Sequence, residues 1–178
     1  MCGLAGAFSK YNFETKKIKN IVSEMAITLK HRGPDSNGIY TTNKFSVGFQ
    51  RLSILDISSK ANQPFTDKKK NYILAFNGEI YNYLEIKKKY LHNLDLKSNS
   101  DTEVLFHLLI KFGTRALEKI EGMYAFAFYN KKKDKLILAR DHCGMKPLYY
   151  SIQEKKIFFS SEVKALKNVV SFKINNNN

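Results

Sequence analysis

The strongest limit on the fold comes from the order in which helix-like and strand-like segments follow one another. A helical period of apolar residues runs from Ile18 to Leu29 and stops at a Gly-Pro pair. Strand-like segments follow it, and the last third is a meander of apolar runs and polar turns. The strand-like segments are 38–41, 45–49, 123–129, 135–139, 148–152 and 157–159. This mixture predicts an α+β fold with a mainly antiparallel sheet.

Two local signals add detail to this prediction. The apolar run Tyr72–Phe76 is followed by Asn77-Gly78, a pair typical of tight turns, so we predict that a strand ends there. Ser100 and Glu103 have the spacing of a capping box, which predicts a helix that begins at Ser100.

The formal net charge of +14 raises the question of a nucleic-acid or anionic-membrane partner. Only four of the 30 Lys and Arg residues are Arg, and the lysines form short clusters without interleaved aromatic residues. Asn is also very frequent, as in a chain whose composition is biased toward Lys, Asn and Ile. We therefore interpret the charge as a solvated surface and expect neither a nucleic-acid nor a membrane partner.

Length and composition indicate one folded domain in the cytoplasm. With 178 residues, 43% of them hydrophobic, the chain can bury a core. No apolar run reaches the ~20 residues of a membrane-spanning helix, and the first fifteen residues do not resemble a signal peptide. Cys2 and Cys143 are too few for a disulfide framework or a zinc cluster.

Cys2 is the strongest candidate for a catalytic residue. If Met1 is removed, Cys2 gains a free α-amine, whose pKa of roughly 7.7–8.0 suits it to accept the thiol proton. An N-terminal cysteine then holds a nucleophile and its base in one residue. The alternative is that Cys2 is packed in the fold and has no chemical role.

Six motifs carry a resemblance to a known family. They are C-G-L-A-G (2–6), H-R-G-P-D-S-N-G-I-Y (31–40), R-L-S-I-L-D (51–56), F-N-G-E-I-Y-N-Y (76–83), S-D-T-E-V (100–104) and R-D-H-C-G-M-K-P-L-Y-Y (140–150). Together they resemble the class II glutamine amidotransferase domain, and in particular the N-terminal half of glutamine-hydrolysing asparagine synthetase. The resemblance runs from Cys2 to about Leu166. It implies the four-layer α/β/β/α sandwich of N-terminal nucleophile hydrolases.

The resemblance also implies catalytic roles. Cys2 matches the nucleophile that splits glutamine through a γ-glutamyl thioester. Asn77 and Gly78 match the residues of the oxyanion hole, which a side-chain NH₂ and a backbone N–H can supply. On local grounds alone, Asn77-Gly78 is more typical of a simple hairpin turn.

Other matched residues are implied to bind glutamine by its amino-acid end. Arg51 matches the partner of the α-carboxylate, which suits a guanidinium fork. Asp101, assisted by Glu79, matches the partner of the α-ammonium, although a carboxylate there also favours a helix N-terminus. The backbone of four further residues lines this pocket in the family: Leu52, Ser53, Ile54 and Leu55.

Two motifs are predicted to shape the site without reacting. Arg32 and Asp35 are expected to hold a nearby loop, and Arg140 and Asp141 to form an ion pair in the pocket wall. The four histidines show no metal-ligand spacing, so we expect no metal in the site.

The sequence predicts an amidotransferase domain over residues 1–172 and a polar tail, or the start of a linker, over 173–178. The Ser-Gly-Gly-x-Asp-Ser loop of a synthetase domain does not occur in the sequence, and neither does a G-x-x-x-x-G-K-[ST] loop. We therefore expect no cofactor in this domain, with ATP and magnesium needed only in the missing synthetase domain. A piece of a longer protein or a split gene product is the expected origin of the chain.

Three functions stay open on the sequence. The first is hydrolysis of L-glutamine that supplies ammonia to an asparagine synthetase domain, in cis or in trans. The second is the same hydrolysis serving a sugar-modifying amidotransferase relative. The third is a non-catalytic, basic binding module that retains the fold.

Overall fold

The computed structural model describes residues 1–167 and 169–170. The strands in this part of the chain are β1 (Gly3–Ser9), β2 (Ser36–Thr41), β3 (Phe45–Arg51), β4 (Phe65–Thr66), β5 (Tyr72–Ile80), β6 (Gly122–Asn130), β7 (Lys135–Arg140), β8 (Tyr149–Gln153) and β9 (Lys156–Ser160). The α-helices are α1 (Thr15–Ile27), α2 (Tyr83–Tyr90), α3 (Asp101–Phe112) and α4 (Val163–Leu166). Short 3₁₀ helices lie at Lys30–Arg32, Ser59–Ala61 and Gly113–Lys119. No helix in these described ranges has both the length and the apolar character needed to cross a membrane.

The strands form two antiparallel sheets that pack face to face. Sheet A has the order β2-β3-β1-β9-β8, and sheet B has the order β4-β5-β6-β7. Helices α1 and α4 pack on the outer face of sheet A, whereas α2 and α3 pack on the outer face of sheet B. The predicted α+β class and the α/β/β/α layer order are confirmed.

Alternation along the strands builds these layers. In β1, Leu4 and Phe8 belong to the core between the sheets, while Ala5 and Ala7 belong to the core under α1. Tyr129 of sheet B stacks on the ring of Phe45 of sheet A, with 4.5 Å between the ring centroids. Such stacking adds to the stabilisation from apolar burial alone.

The predicted helix start at Ser100 is confirmed. Ser100 is the N-cap of α3, and its hydroxyl accepts a hydrogen bond from the Glu103 N–H at 3.4 Å. The Glu103 carboxylate in turn accepts from the N–H of Ser98 at 2.7 Å. These bonds fix the N-terminus of α3, which presents Asp101 to the site described below.

Two predictions about strands are wrong. Strand β5 does not end at Asn77-Gly78 but continues to Ile80, with Asn77 opposite Ala125 of β6. A Cβ at Gly78 would lie 2.3 Å from the carbonyl oxygen of Met123, so glycine is needed here for close approach of the strands and not for a turn. The late strands also form no single meander, because β7 lies in sheet B and β8 in sheet A.

Two segments fall outside the predictions. Helix α2 was not predicted. Ile86 is its one buried residue, so its sequence carries only a weak apolar period. The predicted tail or linker at 173–178 lies outside the described residues.

Candidate active site

Three polar side chains lie at one end of the core between the two sheets, and each is on the inward-facing side of its strand or at the residue next to that strand. Each lies two residues from a member of that core: Cys2 from Leu4, Arg51 from Phe49 and Asn77 from Ala75. Side chains two residues apart on an extended strand share a face. All three therefore point toward the same space between the sheets, although they are far apart in sequence.

The Cys2 thiol is held by the backbone of the segment after β3. Leu52 N–H donates to Cys2 Sγ at 3.3 Å, and the thiol donates to Leu52 O at 3.5 Å. Burial raises the pKa of the Cys2 thiol, and the Leu52 hydrogen bond, the N-terminal charge and the charges of Arg51 and Arg32 offset this only in part. The thiol therefore needs a base to become a nucleophile.

The side chain of Asn77 is buried with an unused donor. Asn77 is 1% exposed, and its Nδ2 has no hydrogen-bond acceptor among the described residues. A buried donor without an acceptor costs about 1–3 kcal/mol. Asn77 also lines the same cleft as Cys2.

Gly78 presents its backbone N–H on the open side of β5. Tyr124, opposite Gly78, is bonded to Asp141 instead: its N–H donates to Asp141 Oδ2 at 3.1 Å, and its carbonyl accepts from Asp141 N–H at 2.8 Å. In an antiparallel ladder this makes Gly78 and Tyr124 a non-hydrogen-bonded pair. The N–H of Gly78 therefore points away from β6.

Side chains form hydrogen bonds with the backbone of Phe76 and Ile80, the residues two positions before and after Gly78 on this edge of β5. Gln63 Oε1 accepts from Phe76 N–H at 2.7 Å, and Gln63 Nε2 donates to Phe76 O at 3.1 Å. Asp101 Oδ2 accepts from Ile80 N–H at 2.9 Å. Between these anchored positions, we find no acceptor for Gly78 N–H within the described chain.

Asp101 brings a buried carboxylate into the cleft. Burial raises its pKa to about 6, the nearby Glu79 charge adds to the rise, and hydrogen bonds from the Ile80 and Thr102 N–H groups oppose it. A carboxylate destabilised in this way gains from a cationic ligand.

Arg51 is fixed by the loop that follows it. Its Nη1 donates to Ser58 O at 3.1 Å and to Asn62 Oδ1 at 2.7 Å, and its Nη2 donates to the carbonyl of Asp56. Among the described residues, the Nε–H and the second Nη2–H have no partner. These two N–H groups are therefore free to donate to an anion.

The cleft encloses about 660 Å³, solvent at its mouth included. The predicted site residues that line it are Cys2, Arg51, Leu52, Ile54, Leu55, Asn77, Gly78, Glu79 and Asp101. Ser53, also predicted, is not part of this lining, and its N–H donates to the Asp35 carboxylate at 2.7 Å. Over residues 1–167 and 169–170, no three His, Cys, Asp or Glu side chains are grouped to hold a metal ion.

Lys146 and Gln63 are among the lining residues that the sequence reasoning missed. Lys146 is only 7% exposed, and its Nζ lies 3.3 Å from the sulfur of Met1. Its place in the motif at 140–150 is a signal that could have identified it. Gln63 lies in a segment without a matched motif, so its role emerges only from its contacts with β5.

The predicted ion pair between Arg140 and Asp141 is not formed. Arg140 is exposed, whereas Asp141 is 4% exposed and accepts from the N–H groups of Tyr124, Met145 and Lys146. Burial would raise the pKa of Asp141, but these backbone donors outweigh it and lower the pKa. Asp141 therefore stays charged and ties the loop after β7 to β6.

Two relatives illustrate the similarity to known proteins. The putative asparagine synthetase [glutamine-hydrolyzing] 2 of Methanocaldococcus jannaschii is 38% identical over 184 residues, covering 93% of this chain and 35% of the relative. Asparagine synthetase [glutamine-hydrolyzing] 1 of Bacillus subtilis is 39% identical over 172 residues, covering 93% of this chain and 26% of the relative. The chain thus spans only about a quarter to a third of the length of these proteins.

The fold and the family are shown by two further comparisons. The structure of glutamine phosphoribosylpyrophosphate amidotransferase from B. subtilis, complexed with ADP and GMP, matches with a TM-score of 0.75 at 22% identity. The match covers 93% of this chain and 43% of that one, and it shows a shared fold. A family model described as glutamine amidotransferase domain matches residues 1–178. The chain therefore belongs to the glutamine amidotransferase domain family.

Proposed function

We propose that this domain hydrolyses L-glutamine to L-glutamate and ammonia with Cys2 as the nucleophile, and supplies the ammonia to an asparagine synthetase domain. One observation carries the proposal: Asn77, whose buried Nδ2 has no acceptor among the described residues, lines the same cleft as Cys2. Attack of a thiol on an amide carbonyl creates an oxyanion, which is the acceptor that this donor lacks.

The first half of the reaction forms a thioester. After removal of Met1, the α-amine of Cys2 takes the thiol proton, and the sulfur attacks the side-chain amide carbon of glutamine. The carbonyl electrons move onto oxygen, which accepts from Asn77 Nδ2 and Gly78 N–H. When this oxyanion collapses, the amide nitrogen takes the proton from the amine and leaves as ammonia.

The second half regenerates the enzyme. Water gives a proton to the α-amine of Cys2 as its oxygen attacks the thioester carbon. The carbon–sulfur bond then breaks, the thiolate is reprotonated by the amine, and glutamate is released. The same two donors stabilise the second oxyanion.

Two charged residues suit the amino-acid end of glutamine. The free N–H groups of Arg51 suit the α-carboxylate as charge-assisted donors. Asp101 offers a carboxylate to the α-ammonium, and this pairing would relieve the cost of its burial. The substrate would then lie across the cleft with its side-chain amide at Cys2.

The synthetase partner is proposed from the names of the two relatives, which extend well beyond the region matched here. In this proposal ATP and magnesium act in the synthetase domain, joined in cis or in trans, and the glutaminase domain uses no cofactor. A cytoplasmic location also stays a prediction.

The proposal is tested by measuring glutamate and ammonia released from glutamine, in a preparation whose intact mass shows that Met1 is absent. We expect Cys2→Ala to abolish release, and Cys143→Ala, which removes the other and exposed thiol, to leave it unchanged. Equal release by wild type and Cys2→Ala would refute the nucleophile. No release by processed wild type, alone or with a synthetase partner, would refute the activity.

A further inference from the structure

Glu162 lies between β9 and α4, beside the first residues of β1. The preceding Ser161 is bonded to Leu4 in both directions: its N–H donates to Leu4 O at 2.8 Å, and its hydroxyl accepts from Leu4 N–H at 3.1 Å. The backbone leading to Glu162 is therefore fixed next to β1, two residues from Cys2.

Arg32 connects Glu162 to Cys2. Arg32 Nε donates to the carbonyl oxygen of Cys2 at 2.9 Å, and Arg32 Nη1 donates to Glu162 Oε1 at 2.9 Å. The Arg32 side chain is only 9% exposed, and within the described chain Glu162 is the carboxylate that pairs with it. A buried guanidinium depends strongly on such a partner for its position.

Glu162 is itself held by two further basic groups on its outer side. His31 Nε2 lies 2.9 Å from Oε1, and Lys164 Nζ lies 3.2 Å from Oε2. Partial burial would raise the pKa of Glu162, but the hydrogen bonds from Arg32, His31 and Lys164 outweigh it and lower the pKa to about 2. The carboxylate is thus charged whenever the domain is folded near neutral pH.

We propose that Glu162 is a positioning residue for the nucleophile: it orients Arg32, which holds the carbonyl of Cys2 and so fixes the direction of the thiol. This inference rests on the proposed function in assigning Cys2 as the nucleophile. A surface ion pair would involve only His31 and Lys164, whereas the contact with Arg32 reaches the backbone of the reacting residue. Because Glu162 does not line the cleft, its loss should weaken the chemical step and not substrate binding.

The test compares Glu162→Ala and Glu162→Gln with wild type in glutamine hydrolysis by the processed chain. We expect Glu162→Ala to lower kcat about tenfold with KM changed less than twofold, because small displacements of reacting atoms cost large factors in rate. Glu162→Gln keeps an acceptor for Arg32 and should recover part of the loss. The matched control is Glu154→Ala, which removes an exposed pair with Lys156 and should leave kcat unchanged.

A double-mutant cycle tests whether Glu162 acts through Arg32. In an Arg32→Ala background, Glu162→Ala should lower kcat no further. Fully additive losses, or wild-type kcat for Glu162→Ala, would overturn the proposal.

Alkylation of the thiol supplies a readout that does not need activity. With iodoacetamide and peptide mass analysis, Glu162→Ala should raise the alkylation rate of Cys2 at least threefold, because the released residue exposes its sulfur. Cys143, which is exposed and makes none of these hydrogen bonds, is the internal reference in the same protein. If wild type proves inactive, faster alkylation of Cys2 alone supports the positioning role, and an unchanged rate overturns it. Failure of the glutaminase proposal is thereby distinguished from failure of this one.

Discussion

Replacing Asn77 by leucine should remove activity and at the same time stabilise the fold. Leucine has the same branching and the same number of side-chain heavy atoms, so the change deletes the unpaired Nδ2 without leaving a cavity. In the proposed reaction this nitrogen stabilises the oxyanion, and loss of one such donor lowers kcat by about 10²–10³, or roughly 2.7–4 kcal/mol. Gly78 N–H remains, so activity above that of Cys2→Ala should persist.

The stability change follows from the same atom. An unpaired buried donor costs about 1–3 kcal/mol, so Asn77→Leu should raise the free energy of unfolding by about 1 kcal/mol or more. For a domain of this size that corresponds to an increase in Tm of about 2–4 °C. Steady-state glutamate release and thermal unfolding of the same preparations measure both effects.

Asn82 provides the matched control, because both ends of its amide are used. Its Nδ2 donates to Lys119 O at 3.0 Å, and its Oδ1 accepts from Glu121 N–H at 3.0 Å. Asn82→Leu should lower the free energy of unfolding by about 1–3 kcal/mol and leave kcat unchanged. The reasoning is refuted if Asn77→Leu destabilises the domain as much as Asn82→Leu does, or retains wild-type kcat.

Two further substitutions test the surroundings of the oxyanion donors. The pKa of Asp101 is about 6 in the fold, above its ordinary value of 3.8, so its ionisation destabilises the fold as pH rises through this window. Asp101→Asn should therefore raise the free energy of unfolding by up to about 3 kcal/mol at pH 8, with no difference below about pH 4. It should also raise KM for glutamine. Equal stability of wild type and Asp101→Asn at pH 8 would contradict the burial argument. Gln63→Leu leaves the buried N–H and carbonyl of Phe76 unpaired, so it should lower the free energy of unfolding, measured in urea, by about 2–6 kcal/mol. An unchanged free energy of unfolding would show that β5 is anchored in another way.

The sequence pattern predicted the fold class and most of the helices and strands, but its prediction of a strand end at Asn77-Gly78 was wrong. Within the local sequence, that pair is typical of a turn. The strand needs glycine because a Cβ added at position 78 would lie 2.3 Å from Met123 O. That contact joins residues 45 positions apart, beyond the range of a local pattern. Helix α2 was missed for a related reason, since its lysines 87–89 read as a charge cluster and Ile86 alone gives no period.

The site residues that belong to matched motifs could be predicted, whereas those identified only by their three-dimensional contacts could not. Cys2, Arg51 and Asp101 were named from matched motifs, and the structure brings them to one cleft. The link from Arg32 to Glu162 spans 130 positions, so no spacing rule could have found it. The layer order likewise came from resemblance, because strand periodicity does not say which sheet a strand joins.

The exceptions to ordinary packing are concentrated around the nucleophile. Among the described residues, the two buried side-chain nitrogens without acceptors are Arg32 Nη2 and Asn77 Nδ2, one in a residue that holds Cys2 and the other in a residue that shares its cleft. Asp101 adds a carboxylate that burial disfavours. Nearby groups of the same kind, such as the backbone of Phe76 and the Asp141 carboxylate, are fully bonded. Asn77 and Asp101 line the cleft beside Cys2, and the bonded groups around them in the described chain offer Asn77 Nδ2 no acceptor. A ligand in the cleft would complete them, and such preorganised polar groups are what electrostatic catalysis requires.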